Sequence, residues 1–451
     1  MKNLFESYNR YTEETEPPTN YHVWTLISCL SACLGRRCFV PQGTFTIYPN
    51  LYIVLVGAPG MKKSSAMNIG KSLLRCIPDF PLSPASLTRE ALLQSLENNV
   101  IKFNFAGVPA EYHQISCFVT EFQEFLGGKH RNSSMIDILT AIWDEPTYEY
   151  LTKNSKPIRI DAPYVSLLAC CTTEWLNEKI DSSIISDGLA RRIIFIYEEE
   201  RNKFVPFPRL TEQQIAEYDF IKKEFIRLQK ISGRFDFTED AITLWEKLYV
   251  EIQEEALKQP EFLQYYYTTK HVLMIKVAMC LSAVLRSDMK IDAALIQLVH
   301  KMFGAFEENL PSLFRNIGRN KLKPYTEKIF DIVAKNPQGI SRGDIINKMS
   351  SDVSLDELTE SLDVLMIGKR IELVDAARSI FRPLEKIKKA RKVNLFELIK
   401  QYEPSTPISN LVNRQIIDDL SNVLTSNQIS IKQENDRRRA DFDEKGFITL
   451  T

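Results

Sequence analysis

Between positions 47 and 76 the chain reads IYPNLYIVLVGAPGMKKSSAMNIGKSLLRC, and this stretch narrows the choice of fold more than any other. Residues 51–56 form an unbroken apolar run, the pattern of a strand buried on both faces. The run breaks into Gly57-Ala58-Pro59-Gly60-Met61-Lys62-Lys63-Ser64-Ser65, after which Met67, Ile69, Leu73 and Leu74 recur at helical spacing. Strand, glycine-bearing loop, Lys-Ser and helix is the layout of a P-loop. In such a loop the backbone amides and the helix N-terminus form a nest for an anion. Residues Gly57 to Ser65 are therefore the candidate phosphate site, with Lys63 reaching the β- and γ-phosphates and Ser64 the magnesium ion. The pattern G-x4-G-K-[ST] asks for glycine at position 62, where this chain has Lys62. Either Lys62 adopts the special backbone conformation or the loop takes a different path. The plain alternative is a basic strand–turn–helix connection with no ligand.

With 451 residues there is room for two or three domains and a sizeable core. A net charge of -1 argues against a uniformly basic surface while allowing a local basic channel. No apolar run in the sequence reads as a bilayer span, and the start MKNLFESYNRYTEETEPP is too polar for a signal peptide. A cytoplasmic protein without membrane contact is the expectation. Cys29, Cys33, Cys38, Cys76, Cys117, Cys170, Cys171 and Cys280 form no CxxC pair and read as buried, reduced thiols. The 5 histidines lack HExxH spacing, so the one metal expected is nucleotide-bound magnesium.

Residues 1–46 read as an N-terminal helical extension, with a helix over 20–34 showing Trp24, Leu26, Ile27 and Leu30 on one apolar face. Arg36 and Arg37, after a glycine that ends this helix, either touch phosphate or a neighbouring subunit, or form a solvated helix end. Residues 47–204 read as an α/β nucleotide-binding core. Thr88 caps a helix to about Asn98. Residues 115–121, ISCFVTE, read as a second buried strand ending in Thr120-Glu121. Such strand ends usually carry Asp-Glu, the aspartate on the metal and the glutamate polarising water. Glu121 is thus the candidate catalytic and metal-supporting carboxylate, Thr120 replaces the aspartate, and Glu124 is the fallback. Residues 148–152 and 157–161 alternate as a hairpin with Lys153 and Lys156 at its tip. Residues 164–171 form another buried strand, ending in Thr172-Thr173, and Arg191-Arg192 precede a strand over 193–197.

Prolines at 206 and 208 mark a boundary, and 205–310 reads as helices over 212–230, 238–258, 270–286 and 292–308. Lys270 and Lys276 stand about 240° apart around one helix and cannot share a face. Residues 311–323 form a basic linker. Residues 324–384, with helices over 324–335, 341–348 and 354–367 and strands over 370–374 and 379–383, follow the winged-helix pattern. Its third helix is acidic, with Asp356, Glu357, Glu360 and Asp363, which speaks against major-groove binding through it. Residues 385–451 form a partly helical tail.

The order GAPGxKKS, strand–Thr-Glu, hairpin, strand–Thr-Thr and GLxRRhhF resembles the AAA+ core of phage and mobile-element ATPases similar to minichromosome-maintenance helicases. The resemblance covers about residues 10–300. It implies an α/β AAA+ core with an α-helical lid, ATP and magnesium as cofactors, and a homo-oligomeric ring, most often a hexamer. Thr172 resembles a sensor-1 residue, and Arg192 (with Arg191 as the alternative) an arginine finger serving the neighbouring subunit. Lys153 and Lys156 resemble a pre-sensor hairpin aimed at DNA, or are ordinary surface lysines. Lys276 matches a sensor-2 position near the nucleotide, or snorkels to the surface. The implied function is an ATP-hydrolysing motor on single-stranded or forked DNA, a replicative helicase of a phage or mobile element with replication proteins as partners. A helicase loader or initiator is the first alternative, and a nucleotide-binding structural or defence module the second.

Overall fold

The apolar run at 51–56 is a strand for the reason its composition gives: β1 (Tyr52–Val56) is buried at every position. The computed structural model describes residues 3–84, 86–105, 107–127, 134–151, 157–179, 188–201, 203–259, 261–286, 288–313, 323–349, 354–367, 370–375, 378–384 and 393–403. The chain divides into two units, Met1–Tyr402 and Glu403–Thr451. Only Glu403 of the second is among the described residues; of the tail expected over 385–451, residues 393–402 belong to the first unit, where the helix Leu395–Lys400 packs Leu395, Phe396 and Ile399 into the main core.

The first unit is mixed α/β. Its main sheet joins β1 to β2 (Val100–Phe105), β3 (Val108–Val119), β4 (Pro163–Cys171) and β5 (Ile193–Tyr197). The strand order is β2-β3-β4-β1-β5. β1, β3, β4 and β5 run parallel, and β2 pairs antiparallel with β3 as the edge. Helices cover both faces of the parallel part, so β1 and β4 carry no polar alternation. β2 was not expected; its mixed, partly exposed VIKFNF lacks the unbroken apolar signal of its neighbours.

Two helices precede the sheet, α1 (Leu4–Thr12) and α2 (Thr19–Leu34). α2 is buried all round from Tyr21 to Leu34, not on one face as its pattern suggested. It packs against α3 (Lys63–Arg75), the helix after the candidate phosphate loop, and against β4. Gly35 ends α2 at φ +62°, where an added Cβ would lie 2.1 Å from the Tyr112 hydroxyl. The following arginines do not form a solvated helix end. Arg37 is buried and donates to the Tyr112 hydroxyl at 2.8 Å and to Cys33 O at 2.6 Å. Arg36 lies over the Tyr48 ring and donates to Pro163 O at 2.6 Å. Both are internal struts.

A helical layer follows: α4 (Glu212–Leu228), α5 (Glu239–Lys258), α6 (Glu261–Leu285) and α7 (Ala293–Glu307). Thr211 and Gln214 form a reciprocal capping box on α4. Thr238 occupies the N-cap position of α5, but its hydroxyl donates to Ile291 O instead. α6 begins nine residues before the expected Lys270, because the aromatic run at 262–267 masked its periodicity. Residues Leu263–Leu285 of this helix are, by length and composition, apolar enough to cross a membrane, which corrects the reading of the bare sequence. That window is 67% buried inside the protein. Within it Lys270 forms a buried ion pair with Glu307 of α7 at 2.5 Å, and the Tyr266 hydroxyl donates to the same carboxylate at 3.0 Å. Burial pushes the Glu307 carboxyl up.

Residues 323–384 have a hydrophobic core of their own, centred on Ile329, Phe330, Val333, Leu358, Leu362 and Phe381. Three helices, α8 (Lys323–Ala334), α9 (Arg342–Met349) and α10 (Leu355–Ile367), surround it with a three-stranded antiparallel sheet. Ser341 caps α9 by accepting from Asp344 N at 3.1 Å. The exposed positions of α10 include Asp356, Glu360 and Asp363. Arg315, Arg319 and Lys321 of the expected linker lie outside the described residues.

Candidate nucleotide-binding site

The loop between β1 and α3 is shaped by one residue in an unusual state. Lys62 has φ 59° and ψ 26°, the left-handed conformation that the consensus glycine supplies. For a residue with a Cβ this costs about 1–2 kcal/mol. The Lys62 ammonium is paired with Glu16 at 3.0 Å. Glu16 also accepts from Arg201 at 2.9 Å and from Val205 N at 3.2 Å. The Lys62 hydrogen bond, then the Val205 amide, holds the Glu16 carboxyl below its ordinary value.

Lys63, the first residue of α3, is buried, and its ammonium curls over the loop to donate to Gly57 O at 2.6 Å and Ala58 O at 3.0 Å. Desolvation lowers its pKa, opposed by Cys170, Cys171, Glu174 and Glu121. Ala58, Pro59, Gly60, Ser64 and Ser65 are exposed around it, while Gly57 and Met61 form the buried floor. The first turn of α3 leaves amides without intrahelical partners, a nest for phosphate oxygens. At Gly57 an added Cβ would lie 2.6 Å from the Tyr21 hydroxyl and 3.0 Å from Glu198 O. Tyr21 donates to Val56 O at 2.5 Å, and Asn20 donates to the Glu198 carboxylate at 2.7 Å. The N-terminal helix therefore forms one wall of the loop. Sequence reasoning missed Glu16, Asn20, Tyr21 and Glu174. Acidic residues on a polar start carry no local signal of a contact so far along the chain.

The sheet register brings Glu121 to the same edge. Val119 pairs with Ala169, and Ala169 with Val54. Two residues on, Cys171 pairs with Val56, and Glu121 follows two residues past the end of β3 at that same edge. Two interstrand steps of about 4.8 Å place the Glu121 backbone about 10 Å from that of Val56. Glu121 is exposed and makes no side-chain cap bond to the short helix Phe122–Phe125, which carries the exposed fallback Glu124. Thr172 lies next to the loop, because Gly57 N donates to Cys171 O at 3.4 Å. Its hydroxyl accepts from Trp175 N at 3.3 Å and so caps Thr173–Lys179. Gly57 to Ser65, Glu121 and Thr172 thus converge at the C-terminal ends of the parallel strands. Among the described residues no group of three His, Cys, Asp or Glu side chains could hold a metal. Magnesium fits here only with phosphate oxygens as ligands, beside Ser64 and Glu121.

Arg192, expected to serve a neighbouring subunit rather than this loop, and Lys276, expected at the nucleotide, both lie at the other end of the sheet. Arg192 precedes Ile193, which pairs with Tyr52 at the start of β1. The rise of the strand puts it roughly 13 Å or more from Gly57. It is buried, donating to Asp144 at 3.1 Å and to Gly188 O at 2.9 Å, whereas Arg191 is exposed. Lys276 is also at that far end, which corrects its assignment to the nucleotide. Its ammonium donates to Asn50 Oδ1 at 2.6 Å and lies 3.9 Å from the centre of the Trp143 ring. Nor does it snorkel, for it is 2% exposed. Lys153 and Lys156 lie outside the described residues; the strands that lead to them, Thr147–Tyr150 and Ile158–Asp161, pair antiparallel.

No protein-family model matches this chain, and comparison with curated proteins finds no relative.

Burial draws the Lys276 pKa down from 10.5 to about 7, with Arg36 and Arg192 lowering it and Asp144 raising it. Between pH 7 and 10.5 the unfolded chain then binds a proton that the folded chain does not. Lys276 therefore costs stability below pH 7, and the cost fades as pH rises. In urea unfolding, the wild-type protein should gain about 3 kcal/mol relative to Lys276→Met between pH 7 and 9.5. A pH-independent difference would mean that Lys276 stays charged in the fold.

Proposed function

We propose that this chain is an ATP-hydrolysing AAA+ motor that acts on DNA. The observation that carries the reading is the strand order β2-β3-β4-β1-β5. It sets the Thr172 strand between the P-loop strand and the strand that leads to Glu121, two interstrand steps or about 10 Å of backbone separation apart. In this site Lys63 exchanges its two loop carbonyls for the β- and γ-phosphates, and the α3 amides hold the remaining oxygens. Magnesium, when bound, offsets charge on the phosphates. Glu121 orients the attacking water and accepts its proton, and Thr172 stands where it would sense the γ-phosphate.

The cation expected from a neighbouring subunit is better supplied by Arg191 than by Arg192. Arg191 faces solvent, and Arg192 is committed to Asp144 and Gly188. A ring, most simply a hexamer, follows from a site that needs that arginine from next door. Residues 323–384 read as a winged helix. Its acidic third helix favours a protein partner for that module, the feature by which a helicase-loader reading would differ from a helicase. A cytoplasmic replication protein of a phage or mobile element accommodates both. Strand displacement on duplexes carrying 3′ or 5′ single-stranded tails tests the choice. Unwinding that requires ATP supports the helicase, and ATP turnover without unwinding supports the loader.

A further inference from the structure

Lys62 lies on the phosphate loop at a position that the P-loop pattern reserves for glycine, and a residue with a β-carbon holds the left-handed turn at a cost of about 1–2 kcal/mol that an outside contact can offset. The securing contact comes from far away in the chain. Glu16, in the bend between α1 and α2, gathers three donors from two other segments: the Lys62 ammonium, the Arg201 guanidinium and the Val205 amide. It is 21% exposed while Lys62 is 42% exposed, so the pair sits at the rim of the loop. The adjacent lysine has a different task, since Lys63 is buried and bonded within the loop. Arg201 and Val205 belong to the connection between β5 and α4, which also presents Phe204 and Phe207 at 70% and 73% exposure. Arg201 lies over the Phe204 ring at 4.8 Å.

We propose that Glu16 is a positioning residue for the phosphate loop: its carboxylate pins Lys62 in the turn that phosphate binding requires and ties loop occupancy to the connection leading into the helical layer. The inference rests on the phosphate-site reading of Gly57 to Ser65. Coupling of this kind is reciprocal. If the clamp favours the bound loop, then bound phosphates must in turn steady the clamp and, with it, residues 203–211.

Two readouts on the full chain test it: affinity for a fluorescent ATP analogue, and amide hydrogen exchange over residues 203–211 with and without that nucleotide. In the wild-type protein nucleotide should slow exchange across the connection. Glu16→Gln keeps the shape and removes the charge. It should weaken binding on the order of tenfold, the range set by the left-handed strain, and abolish the exchange response. The double variant Glu16→Gln/Lys62→Gly should recover the affinity, because glycine adopts the turn unaided, without recovering the response at 203–211. A merely structural role for Glu16 would not give that split. Glu16→Gln binding within twofold of wild type, a double variant that stays weak, or an exchange response that survives in Glu16→Gln overturns the clamp alone. A wild-type protein that binds no nucleotide overturns the phosphate site and the clamp together.

Discussion

Glu121→Gln should bind nucleotide as the wild-type protein does and hydrolyse it 10²- to 10⁴-fold more slowly, about the contribution of a positioned general base. Glu121 follows β3 two residues past its end, at the same edge of the sheet as Cys171 and Val56, and is exposed there. Its charge acts on the Lys63 ammonium, which places the two groups in one field. Glutamine preserves volume and hydrogen bonding but cannot accept a proton from water, so the loss should fall on turnover and leave affinity intact. Single-turnover hydrolysis beside equilibrium binding separates the two. Turnover equal to that of wild type would remove Glu121 from the chemistry and leave Glu124 or Glu174 to be tried.

Glu307→Ala should destabilise the helical layer by about 3–5 kcal/mol. The substitution leaves the Lys270 ammonium, 2% exposed, without its partner in the interior, and takes the acceptor from the Tyr266 hydroxyl as well. The cost is that of a stranded charge more than of a lost attraction. Lys270→Met/Glu307→Leu, which removes both charges and fills the space, should therefore recover most or all of the loss. Denaturant midpoints of the wild type and the two variants measure this. A Glu307→Ala midpoint unchanged from wild type would mean that Lys270 finds water or another acceptor.

What was legible in advance followed the density of local signal. β1, β4 and β5 announce themselves as unbroken apolar runs because helices cover both faces, and the helices and strands of residues 323–384 lie within a residue or two of their patterns. Of the two alternatives open for Lys62, the structure shows the left-handed backbone conformation. Contacts between residues distant in sequence were not legible. Periodicity marks α2 as a helix but cannot say that every side of it is covered. Nothing local shows that Arg37 belongs to Tyr112, Lys276 to Asn50, or Glu16 to the loop. Lys276 illustrates the limit. A lysine in an apolar stretch calls for a partner, and the structure supplies one, Asn50, at the opposite end of the sheet from the candidate phosphate site.

The measurement that bears most directly on the central claim is ATP hydrolysis by the purified full chain, with and without single-stranded DNA, beside Lys63→Ala. The account predicts turnover that rises with DNA and vanishes in Lys63→Ala, because that ammonium is the one buried cation in the loop. Turnover that persists in Lys63→Ala, or a wild-type protein that neither binds nor hydrolyses ATP, would contradict it.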